Sequence, residues 1–223
     1  MSALLTIRDL THRFTGRTQI AFGSMTLSAG SMVLVRGASG CGKSTLLHLL
    51  GGVLPVAAAS GSVMIDGREL AGMSARDRDH LRPGVVGWMP QRQFLINGLS
   101  VLDNVLLPVL LKGKASVEVR ARANALLTAL AISDLSGVRP ATLSVGQAAR
   151  ASLARALLSV PRLLLADEPT AALDETSSAL VANQIVSFTK NGGTAVVASH
   201  DAHLRALLAA VAGEKFSEIG LPR

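Results

Sequence analysis

The sequence is short of several things, and each shortage excludes something. One cysteine, Cys41, stands among 223 residues, so neither an intramolecular disulfide nor a multi-cysteine metal site can form, which argues against redox chemistry. No apolar run approaches the roughly 18 to 20 residues that cross a bilayer. The best stretch, Val101 to Leu111, is broken by Asp103, Asn104 and Pro108. The start lacks a basic segment followed by an apolar run and a cleavage site, so no secretory signal is expected and cytosolic residence is the default. Repeats and low-complexity linkers are also missing. Charged residues are scarce, at 17% against 49% apolar, a balance that excludes disorder and points to a packed core. The length suits one sizeable α/β domain and is short for two.

The charge that is present is unevenly placed. The net charge is +7. Residues 92–160 carry eight basic side chains (Arg92, Lys112, Lys114, Arg120, Arg122, Arg139, Arg150, Arg155) against Asp103, Glu118 and Asp134. Such a segment suits phosphate-bearing partners or anionic lipid headgroups, with a solvated helical face as the plain alternative.

Hydrophobic patterning divides the chain in three. Strands are expected at Leu4–Leu10, Ser31–Arg36, Val63–Ile65 and Val85–Met89, with a helix from Ser44 to Leu50 halted by Gly51-Gly52. Apolar residues then recur at helical spacing over Val101–Leu111 and Val117–Ala131. Alternation of strand and helix returns with buried strands at Leu163–Ala166 and Thr194–Ala198 and a helix over Ser177–Phe188 between them. The layout is an α/β domain with a helical insertion in its middle.

Two motifs carry chemistry. Gly37-Ala38-Ser39-Gly40-Cys41-Gly42-Lys43-Ser44-Thr45 fits the phosphate-loop spacing and lies between a predicted strand and helix, as that motif requires. Its glycines let backbone N–H groups and a helix N-terminus approach phosphate. Lys43 supplies charge to the terminal phosphates and Ser44 a hydroxyl to Mg2+. The apolar strand Leu163–Ala166 ends in Asp167-Glu168, placing two acids at the carboxyl edge of the sheet beside that loop. Asp167 is expected to hold Mg2+, and Glu168 to orient or deprotonate an attacking water. Together these define a nucleoside triphosphatase, a class that spans kinases, GTPases, helicases and motors.

A third motif narrows the class. Leu143-Ser144-Val145-Gly146-Gln147, followed by Arg150 and Leu153-Ala154-Arg155-Ala156-Leu157-Leu158, resembles the signature sequence of ATP-binding cassette (ABC) ATPases, usually Leu-Ser-Gly-Gly-Gln. Gln91 in Trp88-Met89-Pro90-Gln91 looks like the Q-loop glutamine. Thr170-Ala171-Ala172-Leu173-Asp174 looks like the D-loop, His200 the switch histidine, and Phe14 the aromatic residue that stacks on adenine. A core aromatic is the rival reading for Phe14, and structural roles are expected for His12, His48, His80 and His203.

The resemblance spans nearly the whole chain and implies a single cassette: a P-loop NTPase (RecA-like) core of residues 1–91 and 161–223 with an antiparallel β subdomain, and an α-helical signature subdomain of residues 92–160. It implies two cassettes packed head to tail, a homodimer by expectation, with Ser144, Gly146 and Gln147 of one chain meeting the ATP held by the other. Gln91 would ligate Mg2+ and touch the lytic water, His200 would contact the γ-phosphate, and Asp174 would belong to the nucleotide-binding set. Two departures stand out. Val145 replaces a glycine close to where the γ-phosphate docks, which suggests retained but slowed hydrolysis. Cys41 replaces a smaller residue, and its thiol is expected beside nucleotide.

Soluble cassettes of DNA repair or translation resemble either two cassettes in one chain or one split by a coiled coil. This chain has neither, despite an isoelectric point near 10.7, so a transporter ATPase is expected, with no nucleic-acid partner. It would sit peripherally on the cytoplasmic face of the inner membrane. Its partner would be a separate transmembrane permease docking near Gln91–Leu111, with Arg92, Phe94 and Leu95 at the contact. The segment Ser100–Leu111 looks like the lipoprotein-releasing, macrolide-export and cell-division group; an importer ATPase is the alternative.

Overall fold

The computed structural model describes residues 3–14, 19–57, 60–82, 84–171 and 173–221. Ala172 of the expected D-loop lies outside them.

Two sheets organise the chain. The first is antiparallel, formed by β1 (Ala3–Arg13), β2 (Gln19–Ser28), β4 (Ser62–Ile65) and β5 (Arg68–Glu69) in the order β2-β1-β4-β5. The second is parallel, formed by β3 (Met32–Arg36), β6 (Val86–Met89), β7 (Leu163–Asp167), β8 (Thr194–Ala198) and β9 (Phe216–Gly220) in the order β6-β7-β8-β3-β9. Among the described residues, seven α-helices accompany them: α1 (Lys43–Leu50), α2 (Ala75–Leu81), α3 (Val101–Leu110), α4 (Val117–Ala129), α5 (Val145–Leu158), α6 (Glu175–Lys190) and α7 (Ala202–Ala212). None of these helices is long and apolar enough to cross a membrane.

The parallel sheet is covered on both faces, which is why its central strands read as unbroken apolar runs. Successive side chains of a strand point to opposite faces. Accordingly Met32, Leu34, Leu164, Ala166, Ala195 and Val197 join the core shared with α3, α4, α5, α6 and α7. Their neighbours Val33, Val35, Leu163, Leu165, Val196 and Ala198 join the core shared with α1 and the antiparallel sheet. Packing is close where β6 passes α5. A Cβ on Gly87 would meet the Ala156 carbonyl, and Pro161 Cγ at 2.8 Å, so only glycine fits there.

Register then aligns the carboxyl ends of four strands. Met89 pairs with Ala166, Asp167 with Ala198, and Ala198 with Val35. The ladder runs one step past the strands, because Glu168 N donates to Ala198 O at 2.8 Å and Ser199 N to Val35 O at 3.1 Å. The phosphate loop, Asp167-Glu168, Ser199-His200 and Gln91 therefore emerge at one edge, where α/β sheets place ligands.

The middle segment is helical and held by its own arginines. Arg139 donates to Gly98 O at 2.6 Å, Arg150 to Leu130 O at 2.8 Å and Arg155 to Phe94 O at 2.7 Å. Burial lowers the Arg155 pKa from its ordinary value. These three guanidinium groups satisfy carbonyls at turns within the segment. Only Arg92, Lys112, Lys114, Arg120 and Arg122 of the basic set remain as exposed charge without such a bond.

Candidate nucleotide site

Helix α1 differs from its six companions. Ser74, Ser100, Ser116, Ser144, Asp174 and Asp201 each accept a first-turn N–H with a side-chain oxygen at the start of α2 to α7. Helix α1 has Gly42 at that position, at φ +104°, and no side-chain cap. A Cβ there would press within 3.2 Å of Ile20 and 3.3 Å of Phe22, so glycine is required for both conformation and space. The uncapped amides and the positive end of the helix dipole suit an anion.

The uncapped end opens into a cavity of about 760 Å³ lined by Phe14, Ile20, Ser39, Gly40, Gly42, Lys43, Ser44, Thr45, Gln91, Asp167, Glu168 and His200. Lys43 is 7% exposed. Its Nζ donates to Gly37 O at 2.8 Å and Ala38 O at 3.2 Å and lies 3.7 Å from Glu168 Oε1. Glu168 sits at φ +47°, a left-handed conformation that costs an ordinary residue about 1–3 kcal/mol. It is held there by bonds to its carboxylate: Ser199 Oγ donates to Oε2 at 2.8 Å, and His200 Nδ1 lies 2.7 Å from Oε1.

Asp167 is 3% exposed. Burial raises its pKa, the Glu168 charge adds to that, and a hydrogen bond from Ser44 opposes it. Its Oδ1 has no hydrogen-bond partner among the described residues. A desolvated carboxylate oxygen without a partner, next to a serine hydroxyl, is the donor set a hard divalent cation prefers, so Asp167 and Ser44 fit Mg2+.

The raised pKa has a sign that can be measured. The folded state holds the Asp167 proton more tightly than the unfolded chain, so stability falls as pH rises from the ordinary carboxylate value through the raised one. Above that window the whole cost of the buried charge remains. Asp167→Asn cannot ionise and retains an acceptor for Ser44. In EDTA at pH 7.5 it should melt higher than the parent by about 2–4 °C, equivalent to about 1 kcal/mol, and the gain should vanish near pH 3.5. Thermal melts at both pH values check this, and an unchanged or lower Tm at pH 7.5 contradicts it.

The other expected residues fall into two groups. Gln91, Phe14 and Thr45 line the cavity, and Phe14 packs edge-on against His12 with ring centroids 4.6 Å apart. Ser144, Gly146, Gln147 and Asp174 do not line it. Ser144 caps α5 in a reciprocal box, its Oγ accepting from Gln147 N at 3.2 Å and its N–H donating to Gln147 Oε1 at 2.9 Å. The Gln147 carbonyl is therefore used within its own helix, while the Ser144 hydroxyl proton stays free to donate. Val145 follows with 63% exposure. A Cβ on Gly146 would lie 3.1 Å from Leu173 Cδ2, which puts the signature against the segment leading to Asp174. Asp174 caps α6 through a 2.6 Å bond from Ser177 N, and that bond lowers its pKa.

Cys41 departs from its expected placement. Its Sγ packs against Gly37 and beside the core of the β-subdomain side, and it is absent from the cavity lining. The loop backbone is closed there by a bond from Cys41 N to Ala38 O at 3.3 Å. Leu95 also departs, packing on the core of the helical segment, whereas Phe94 beside it is 68% exposed. His48 faces Trp88 at 5.3 Å, and His80 bonds Arg76 O at 2.6 Å. The sequence reading missed Ile20 in the cavity wall and Ser199 on Glu168. Ile20 gives no local signal, and Ser199 signals only by adjoining His200.

A parallel sheet with an uncapped phosphate loop, a buried lysine and two acids at its carboxyl edge defines a P-loop nucleoside triphosphatase. The family model described as ABC transporter matches residues 23–171, more than half of the chain, so the chain belongs to the ABC transporter family and is an ATP-binding cassette of the ATPase type. It is 41% identical over 182 residues to the macrolide export ATP-binding/permease protein MacB of Rhodopseudomonas palustris strain HaA2, covering 82% of this chain and 28% of that protein. It is 38% identical over 203 residues to a probable export ATP-binding/permease protein of Pseudomonas fluorescens Pf-5, covering 89% and 31%. The chain thus spans less than a third of the length of these curated relatives.

Among solved structures, the dimeric bacterial ABC transporter cassette MJ0796 superposes with a TM-score of 0.83 at 28% identity, covering 97% of this chain and 94% of that one. A dimeric post-hydrolysis state of the same cassette bound to ADP and Pi gives 0.81 at 28% identity, with coverage of 98% and 97%.

Proposed function

We propose that two copies of this chain close around two ATP molecules and drive a membrane permease of the export type. The observation that carries this reading is the split of the phosphate-binding groups. Lys43, Ser44, Gln91, Asp167, Glu168 and His200 share one cavity, while Ser144 and the positive end of α5 lie outside it with a free hydroxyl donor. A second copy, turned head to tail, would bring Ser144 and Gly146 to the γ-phosphate and put Asp174 at the interface. The division into a core of residues 1–91 and 161–223 and a signature subdomain of residues 92–160 is supported by the arginine bonds confined to the latter.

The reaction follows from the residues. A water activated by Glu168 attacks the γ-phosphorus, the bond to the β-phosphate oxygen breaks, ADP leaves, and the water's proton passes through Glu168 to the phosphate released. Ser44, Asp167 and Gln91 would hold Mg2+, which would supply neutralisation of phosphate charge. Lys43 and His200 donate to the γ-phosphate, Phe14 stacks on the base, and the backbone of Gly37 to Gly42 follows the phosphates. After hydrolysis the contacts across the interface are lost and the copies separate.

The permease partner is supported by the ATP-binding/permease relatives and by a second, largely apolar cavity of about 500 Å³ between β6, α3 and α5, lined by Trp88, Leu107, Pro108 and Leu111 among others. Leu111 is 79% exposed. A short amphipathic helix of a membrane protein suits such a groove, and docking there would keep the chain peripheral on the cytoplasmic face.

Ser144→Arg tests the composite site. It should abolish phosphate release while leaving the affinity for a fluorescent ATP analogue within about threefold, because Ser144 does not line the cavity of its own chain. Wild-type turnover in that variant would mean each copy hydrolyses ATP alone.

A further inference from the structure

Glu168 is held asymmetrically, and the asymmetry assigns a role to Ser199. Its Oε1 is shared by Lys43 Nζ at 3.7 Å and His200 Nδ1 at 2.7 Å. Both are groups that an arriving γ-phosphate would draw to itself, and the His200 side chain is 71% exposed and free to turn. Its Oε2 is held by Ser199, which is 1% exposed and neutral. Ser199 has no comparable freedom. Its N–H is committed to Val35 O, and its Oγ accepts from Asp201 N at 3.1 Å. A hydroxyl has one proton, and with its acceptor side taken by Asp201 the proton points at Glu168. Asp201 is fixed in turn, its carboxylate accepting from Thr170 Oγ1 at 2.9 Å and from His203 N at 2.8 Å.

We infer that Ser199 is a positioning residue for ATP hydrolysis: it ties down Oε2 of Glu168 so that Oε1, vacated by Lys43 and His200 when nucleotide binds, is the oxygen presented to water. The inference rests on the reading of Glu168 as the water-activating group. Without Ser199 the carboxylate is free to rotate about its last bond, a broad and shallow torsion. The buried oxygen would then lose its donor, and the acting oxygen its fixed direction. Positioning of this kind affects turnover and leaves ground-state binding alone, since Ser199 is not among the residues lining the cavity.

Phosphate release measured against Mg-ATP concentration separates the possibilities. Ser199→Ala should lower kcat about 10-fold with KM within about twofold of wild type, and Ser199→Thr, which restores the hydroxyl, should recover most of the loss. Wild-type kcat in Ser199→Ala, a defect confined to KM, or Ser199→Thr as slow as Ser199→Ala each overturns the inference. If Ser199→Ala cannot be purified folded, Ser199→Cys, near in size and a poor donor, takes its place under the same outcomes. Glu168→Gln is run in parallel. If it is inactive while Ser199→Ala turns over normally, only the role of Ser199 falls. If Glu168→Gln itself turns over normally, the reading of Glu168 falls and takes Ser199 with it.

Discussion

Glu168→Gln should lower phosphate release by about 10²- to 10³-fold while leaving ATP affinity within about threefold. The amide keeps the size of the carboxylate and can still accept from Ser199, so the strained backbone at φ +47° and the 2.8 Å bond from Ser199 have no cause to change. What is lost is a group able to take the water's proton. The neighbouring Asp167 is poorly placed to substitute, because its buried carboxylate already accepts from Ser44. Single-turnover phosphate release and equilibrium nucleotide binding measure the two halves of this expectation separately. A rate within tenfold of wild type would move the base to another residue.

Lys43→Ala should weaken ATP binding by about 10²-fold, equivalent to about 2.7 kcal/mol, and abolish turnover. The lysine crosses the inside of the phosphate loop and donates to the Gly37 and Ala38 carbonyls. Removing it leaves those oxygens and the Glu168 carboxylate, all of like polarity, facing the phosphates. Fluorescence titration with an ATP analogue checks the affinity. A Kd within threefold of wild type would mean that the uncapped end of α1 binds the phosphates unaided.

How much of this was legible in the sequence depends on how local each signal is. The phosphate loop and the acidic strand are contiguous, and β3, α1, β7 and β8 form where the apolar runs require them. Strand β2 was not legible, because it lies at a sheet edge and buries little besides Leu27. Strand β9 is likewise an edge strand, and its partner β3 is far away in the chain. Helix α2, written Ala-Arg-Asp-Arg-Asp-His-Leu, has a Ser74 cap and no apolar stripe to reveal it.

Within the site, the pairing of Ser199 with Glu168 depends on β7 and β8 lying side by side in register, a relation between segments about thirty residues apart. The packing of Cys41 beside Gly37 depends on a loop conformation that residue identity leaves open. The charge count over residues 92–160 was right as arithmetic and incomplete as physics, since the carbonyls that engage Arg139, Arg150 and Arg155 are backbone groups that no composition shows.

Hydrolysis between two copies of the chain is tested most directly by the mass of the Glu168→Gln protein at saturating Mg-ATP, where slow turnover keeps the interface closed. Sedimentation equilibrium should give twice the 23.0 kDa chain mass with ATP and 23.0 kDa without it. A particle of 23.0 kDa with ATP bound would contradict the shared site.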